Sequence, residues 1–253
     1  MSSVALRTQG LGISFGAFRA VHNVNLTLEP GARQALIGPN GAGKTTLINL
    51  LTGVFKPTSG TIHMGGHELT SLSADKRARM GLSRTFQINT LFPGLTPLLS
   101  IVLAISEREG QGAVWWRPLK RNKAAFDEAH ALLGRLKLDA LADVPVAELP
   151  YGKQRLLEIA LALAARPRIL LLDEPAAGVP EDESGELFEA IAELPQDISV
   201  LFIEHDMKLV FRFSRRISVL VAGQILTEGT PAEIGANPRV RDVYLGHSGA
   251  PRV

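Results

Sequence analysis

The stretch GPNGAGKTT, residues 38–46, restricts the possible folds more than any other part of the chain. It follows the short apolar run RQALI and opens KTTLINLLTG, a predicted helix that Gly53 ends. It fits the pattern G-x-x-x-x-G-K-[ST], which requires a strand before the loop and a helix after it. The glycines let several N–H groups converge on one anion, and the helix N-terminus adds partial positive charge. A glycine-rich turn that merely contains a lysine is the alternative, but the flanking elements favour a phosphate-binding loop.

The whole loop is therefore predicted to contact a nucleotide, and two side chains in it have specific roles. Lys44 brings a full positive charge to the β- and γ-phosphates, and Thr45 offers its hydroxyl to Mg²⁺. The candidate binding residues of the loop are Gly38, Pro39, Asn40, Gly41, Ala42, Gly43, Lys44, Thr45 and Thr46.

Two adjacent carboxylates close a second apolar run, RILLLDEP. A continuous apolar strand is typical of a parallel sheet that is covered on both faces, and its carboxyl end meets the phosphate loop at the same sheet edge. We expect Asp173 to hold Mg²⁺, directly or through water, and Glu174 to polarise the attacking water. A solvated strand end is the alternative, and the phosphate loop upstream argues against it.

Strands and helices alternate along the chain, which predicts an α/β core with a parallel sheet. The amino-terminal residues form strands, and GTIHMGGHEL reads as a hairpin around Gly65 and Gly66. From residue 88 to 150 helical spacing dominates instead. We therefore predict one domain over 1–253, with an ATP-binding core at 1–87 and 151–253 and a helical subdomain at 88–150. The helix after Tyr151 is expected to reach Arg166.

Composition excludes several classes of protein. The 253 residues contain no cysteine, so disulfides and thiolate metal sites are ruled out. The formal charge is only +2, which gives little support to nucleic-acid binding. The amino terminus lacks the apolar segment of a signal peptide, and no apolar run reaches the roughly 18 residues that span a bilayer.

The phosphate loop does not choose among GTPases, kinases, helicases and transport ATPases, but LPYGKQRLLEIALALAARPRILLLDEP does. This stretch resembles the signature helix and following acidic strand of ATP-binding cassette (ABC) ATPases. Further family marks occur in the right order. The resemblance implies that Phe15 stacks on adenine, that Gln87 senses Mg²⁺ and water, and that the switch histidine His205 contacts the γ-phosphate. It also implies an amino-terminal antiparallel β part.

The signature stretch itself departs from the family pattern L-S-G-G-Q. Pro150 replaces the serine whose hydroxyl binds the γ-phosphate on a partner chain, and Lys153 replaces the glutamine. Proline is tolerated at a helix start, and the helix N-terminus still favours an anion. We therefore keep Pro150, Tyr151, Gly152 and Lys153 as candidate ATP contacts, with the Tyr151 hydroxyl as a possible substitute.

The stretches SRTFQ, LFPGLT, IEHDM and NPRVRDVYLG are similar to the uptake ATPases for branched-chain amino acids, other hydrophobic amino acids, amides or urea. That resemblance implies ATP and Mg²⁺ as cofactors and a head-to-tail pair, homodimeric or heterodimeric, with a second ABC ATPase subunit. It also implies transmembrane permeases, an indirect solute-binding protein, no nucleic acid, and a place on the cytoplasmic face of the inner membrane. A lipopolysaccharide-type export ATPase, or an ABC ATPase acting on nucleic acid or ribosomes, is the alternative. The signature disfavours a P-loop kinase.

Overall fold

Two β-sheets form the centre of the fold, and helices pack against the larger one. The computed structural model describes residues 5–85, 91–110 and 122–245. The smaller sheet is antiparallel, with the order β2-β1-β5-β6 and β3 paired with β1. Its strands are β1 (Leu6–Phe15), β2 (Phe18–Val24), β3 (Thr27–Leu28), β5 (Ser59–Met64) and β6 (His67–Glu68). The predicted hairpin at Gly65 and Gly66 is confirmed, since it joins β5 and β6.

The larger sheet has the order β11-β10-β4-β9-β8-β7, and every neighbouring pair is parallel except β10 with β11. Its strands are β4 (Arg33–Ile37), β7 (Leu82–Arg84), β8 (Ile169–Asp173), β9 (Ser199–Ile203), β10 (Arg216–Val221) and β11 (Gln224–Gly229). The predicted α/β class with a parallel sheet is confirmed. The strand β9 lies between the phosphate-loop strand β4 and the acidic strand β8.

Successive residues of the central strands pack into two different hydrophobic cores. In β8, Leu170 and Leu172 face one core, which they share with the helices, whereas Ile169 and Leu171 face the other. The second core also contains α1 and the inner face of the antiparallel sheet. All five residues of β4, β8 and β9 are buried. Coverage on both faces explains why these strands are continuously apolar in sequence.

The described ranges contain nine α-helices, which include the two predicted after the phosphate loop and after Tyr151. They are α1 (Lys44–Thr52), α2 (Ala74–Arg79), α3 (Pro97–Arg108), α4 (Lys123–Arg135), α5 (Tyr151–Ala164), α6 (Glu181–Ala192), α7 (Met207–Phe213), α8 (Pro231–Ala236) and α9 (Pro238–Leu245). Short 3₁₀ turns occupy Asp139–Leu141 and Val146–Glu148. None of the helices in the part of the chain that the structure describes is long and apolar enough to cross a bilayer.

The helix α5 ends earlier than predicted. It stops at Ala164 rather than at Arg166, because Arg166 has a positive φ of 52° and its N–H bonds to the carbonyl of Leu163. Proline at 167 disfavours the helical conformation of the residue before it, which moves the end of the helix back along the chain. The subdomain boundary at residue 150 stays a prediction, since α5 packs against α3 and α4 as well as α6.

Candidate nucleotide-binding and hydrolysis site

The phosphate loop runs from the end of β4 into α1, and two of its glycines are required by close neighbours. A Cβ on Gly38 would lie 2.1 Å from the carbonyl oxygen of Leu220, and one on Gly43 would lie 2.6 Å from that of Ala20. Gly43 is also left-handed, with φ at 100°, and it precedes α1 without a side-chain cap. The first N–H groups of α1 are therefore available to an anion.

The ammonium of Lys44 lies within the loop. Its Nζ donates to the carbonyl oxygens of Gly38 at 2.7 Å and Pro39 at 3.0 Å. Burial lowers the pKa of the lysine, while the carboxylates of Glu174 and Asp173 oppose that shift. The tertiary structure thus brings the loop lysine and both predicted carboxylates into one electrostatic neighbourhood.

The carboxylate of Asp173 is buried at the end of β8 and has one charged partner. Its Oδ2 lies 2.7 Å from Nη2 of Arg84, whose Nη1 donates to Oδ1 of Asn49 at 2.6 Å. The other oxygen, Oδ1 of Asp173, is buried without a hydrogen-bond partner among the described residues. Burial raises the pKa of Asp173, and Arg84 opposes this. No sequence motif pointed to this role of Arg84.

Glu174 and His205 meet across the ends of neighbouring strands. Oε1 of Glu174 lies 2.5 Å from Nε2 of His205. Glu174 takes a left-handed backbone with φ at 51°, and its N–H donates to the carbonyl of Ile203 at 3.1 Å. This turn carries the carboxylate off β8 towards the end of β9, where the imidazole is half exposed. The predicted base and the predicted γ-phosphate contact therefore touch each other directly.

Glu204, which was not among the predicted site residues, connects the loops after β8 and β9. Its buried carboxylate accepts the N–H of Ala176 at 3.0 Å and that of His205 at 3.1 Å. Burial raises the pKa of this carboxyl, and the N–H donors oppose the shift. The available sequence signal was the acid next to His205 in IEHDM. Its hydrogen bond to Ala176 could be identified only from the folded structure.

The signature stretch begins α5, and its polar groups have partners within the chain. The N–H of Gly152 donates to Oε2 of Glu183 at 3.0 Å, and Nζ of Lys153 pairs with Glu186 at 2.7 Å. The Tyr151 hydroxyl accepts from Nη2 of Arg155 at 2.6 Å. Pro150 caps the helix without a side-chain hydrogen bond. Tyr151, Gly152 and Lys153 are therefore each engaged inside the chain.

Phe15 stands at the turn between β1 and β2, with 49% of its surface exposed. Its ring meets Phe55 edge to face, at 5.6 Å between centroids. A ring with about half of its surface exposed can offer a flat apolar surface to a planar ligand. Gln87 and the pair Trp115–Trp116 lie outside the described residues, so the role predicted for Gln87 stays a prediction.

Comparison with known proteins supplies the family. Residues 21–177 match the ABC transporter family, and residues 224–250 match the branched-chain amino acid ATP-binding cassette transporter family. The chain is 44% identical to the high-affinity branched-chain amino acid transport ATP-binding protein LivG of Escherichia coli K12, with 98% of this chain and 100% of the relative covered. It is 41% identical, with the same coverage, to BraF of Pseudomonas aeruginosa, which has the same descriptive name.

Among solved structures, the chain is similar to the ADP conformation of MJ1267, an ATP-binding cassette of an ABC transporter. The TM-score is 0.85 at 30% identity, with 97% of this chain and 100% of the other covered. A nucleotide-free ATP-binding cassette from an ABC transporter gives a TM-score of 0.82 at 29% identity, with 95% and 98% covered. Motifs, fold and relatives agree, and the chain belongs to the ABC transporter family as a nucleotide-binding, ATP-hydrolysing cassette.

Proposed function

We propose that this ATPase drives the import of branched-chain or similar hydrophobic amino acids. The observation that carries the substrate class is the match of residues 224–250 to the branched-chain amino acid cassette family, at the end of a chain 44% identical to LivG. Amides and urea are the other solutes that the sequence resemblance allows.

In the proposed binding mode, adenine stacks on the exposed ring of Phe15 and the phosphates enter the loop. Lys44 turns from the carbonyls of Gly38 and Pro39 towards the β- and γ-phosphates, and the N–H groups at the start of α1 complete the cradle. Most of the binding energy for the phosphates then comes from charge-assisted hydrogen bonds in a partly buried site.

Mg²⁺ fits the residues that are present. The unpartnered Oδ1 of Asp173 and the hydroxyl of Thr45 are oxygen donors of the type that Mg²⁺ prefers, and nucleotide phosphates supply further oxygens. Within the described ranges no group of three or more His, Asp or Glu side chains forms a metal cage, which suits an ion bound mainly by phosphate and water. When bound, it offsets the charge on the β- and γ-phosphates.

Hydrolysis is assigned to the contact between Glu174 and His205. The Glu174 carboxylate accepts a proton from the attacking water, and the imidazole of His205 donates to the γ-phosphate oxygens. The 2.5 Å hydrogen bond holds the two groups together at the strand ends. Glu204 positions the histidine by accepting its backbone N–H.

We further propose a head-to-tail pair of cassettes on the cytoplasmic face of the membrane. The N-terminus of α5 then faces the γ-phosphate bound by the second subunit, and Gly152 and Lys153 exchange Glu183 and Glu186 for that phosphate. ATP closes the pair and hydrolysis reopens it, which moves the permeases between their two orientations. The second cassette is either another copy of this chain or a related subunit.

The test is uptake by reconstituted vesicles. The chain is co-expressed with candidate permeases and a solute-binding protein from the same organism. Labelled leucine, urea and a neutral sugar are then compared as substrates. We expect ATP-dependent leucine uptake that Glu174→Gln abolishes. ATPase activity stimulated by DNA or RNA, without co-purification of a multi-span membrane protein, would instead support the nucleic-acid alternative.

A further inference from the structure

Arg84 stands where three elements of the site converge. It is the last residue of the edge strand β7 and pairs in register with Leu171 of β8. Its side chain is 11% exposed and reaches Asp173, the last residue of β8. The same guanidinium contacts Asn49 on α1, the helix that begins with Lys44. One side chain thus connects the phosphate-loop helix, the acidic strand and the strand that leads to Gln87.

The guanidinium of Arg84 binds one of the two carboxylate oxygens of Asp173. A guanidinium can bind both oxygens of a carboxylate as a fork, and Arg–carboxylate pairs frequently take this form. Here the second arm of the fork goes to Asn49 instead, at 2.6 Å. Only Oδ2 of Asp173 is bound, at 2.7 Å, and Oδ1 stays buried without a partner. A buried oxygen without a partner is costly and calls for a functional explanation.

We propose that Arg84 is a positioning residue that fixes Asp173 through Oδ2, so that Oδ1 is held ready for the hydrated Mg²⁺ of the bound nucleotide. The inference rests on the proposed role of Asp173. Asn49 fixes the guanidinium in turn, so that the orientation of the carboxylate is tied to α1. Residues that orient a metal ligand from behind typically contribute on the order of 10–100-fold to metal affinity.

The experiment measures Mg²⁺-dependent nucleotide binding without turnover. In a Glu174→Gln background, a fluorescent ATP analogue is titrated at a series of Mg²⁺ concentrations and again in EDTA. For Arg84→Gln we expect the half-saturating Mg²⁺ concentration to rise by about 10–100-fold, with the affinity in EDTA unchanged. Asn49→Ala keeps the ion pair and should show a smaller rise. Arg84→Lys keeps the charge but cannot bridge both partners, and should fall between these two.

Arg108→Gln is the control, because Arg108 forms a partly buried pair with Glu128 away from the site, with side-chain exposures of 18% and 23%. It should lower the melting temperature and leave the Mg²⁺ midpoint unchanged. If Arg84→Gln behaves like Arg108→Gln, the pair is structural and the proposal is wrong. If Arg84→Gln does not fold, equal Mg²⁺ midpoints for Arg84→Lys, Asn49→Ala and the parent also overturn it. If the parent binds nucleotide without any dependence on Mg²⁺, the proposed role of Asp173 fails as well, and the two failures are thereby distinguished.

Discussion

Oε1 of Glu174 and Nε2 of His205 are 2.5 Å apart, although the two residues follow different strands. The left-handed backbone at Glu174 turns its side chain towards β9. The carboxylate of Glu204 accepts the backbone N–H of His205. The candidate base and the candidate phosphate contact are therefore oriented by each other before any nucleotide arrives. Replacing either one should affect hydrolysis more than binding.

Glu174→Gln should retain ATP binding and lose turnover. The amide is nearly isosteric but cannot take a proton from water, and general-base catalysis commonly contributes about 10²–10⁴-fold. Phosphate release and equilibrium ATP binding would be measured on the same preparation. Normal hydrolysis by the variant would show that another group acts as the base.

Lys44→Ala should weaken ATP binding by at least about tenfold, because hydrogen bonds to charged groups contribute roughly 1.5–3 kcal/mol. Isothermal titration with ATP measures this. Lys208→Ala is the control, since that lysine is exposed and forms its ion pair with the exposed Glu181. Wild-type affinity in Lys44→Ala would refute the assignment of the phosphate loop.

Tyr151→Phe should leave ATPase activity unchanged and lower the free energy of unfolding by about 1 kcal/mol. The hydroxyl accepts a hydrogen bond from Arg155. In the variant the ring can still make its cation–π contact with the guanidinium, which lies 5.0 Å from the ring centroid. Chemical denaturation and steady-state ATPase assays check the two parts. A large loss of activity at unchanged stability would return the tyrosine hydroxyl to the γ-phosphate site, where it could replace the missing serine.

Glu183→Ala should destabilise the start of α5. The carboxylate accepts the N–H of Gly152 and so does the work of a capping side chain that Pro150 lacks. Loss of such a cap typically costs about 0.5–2 kcal/mol. Hydrogen exchange at the first turn of α5 reports it directly, and Glu183→Gln, whose amide oxygen can still accept, should lose less. Equal exchange rates in all three proteins would remove the capping role.

Glu128 should make stability depend on pH in the acid range. Hydrogen bonds from Arg108 and Arg166 lower its pKa to about 2 from the ordinary value of 4.5. Folding thus favours the ionised form, so the pair stabilises the protein above pH 4.5 and this contribution is lost as the pH falls towards about 2. The difference in unfolding free energy between wild type and Glu128→Gln should be about 1 kcal/mol near neutrality and shrink with acid. A difference that is constant with pH would contradict this.

The elements with strong local signals were predictable. The strand β4, the loop and α1 follow from one motif, and Gly53 ends α1 as predicted, with φ at 81°. The acidic end of β8 was readable because a strand buried on both faces must be apolar until it reaches the sheet edge. By contrast β7 has three residues, too few for any periodicity, and it was not predicted.

By itself, the sequence determined the phosphate loop, the α/β class, and Lys44, Asp173 and Glu174 as candidate chemical groups, whereas His205 became a candidate through the family resemblance. Local backbone preferences and apolar periodicity act over a few neighbouring residues, and each of the features that they predict is contained in such a short segment. Only the tertiary structure decided that β9 separates β4 from β8, that Arg84 grips one oxygen of Asp173, and that Glu183 caps the signature helix. Those contacts join residues 31 and 89 positions apart, and their geometry depends on strand order and crossover packing, which no local pattern encodes.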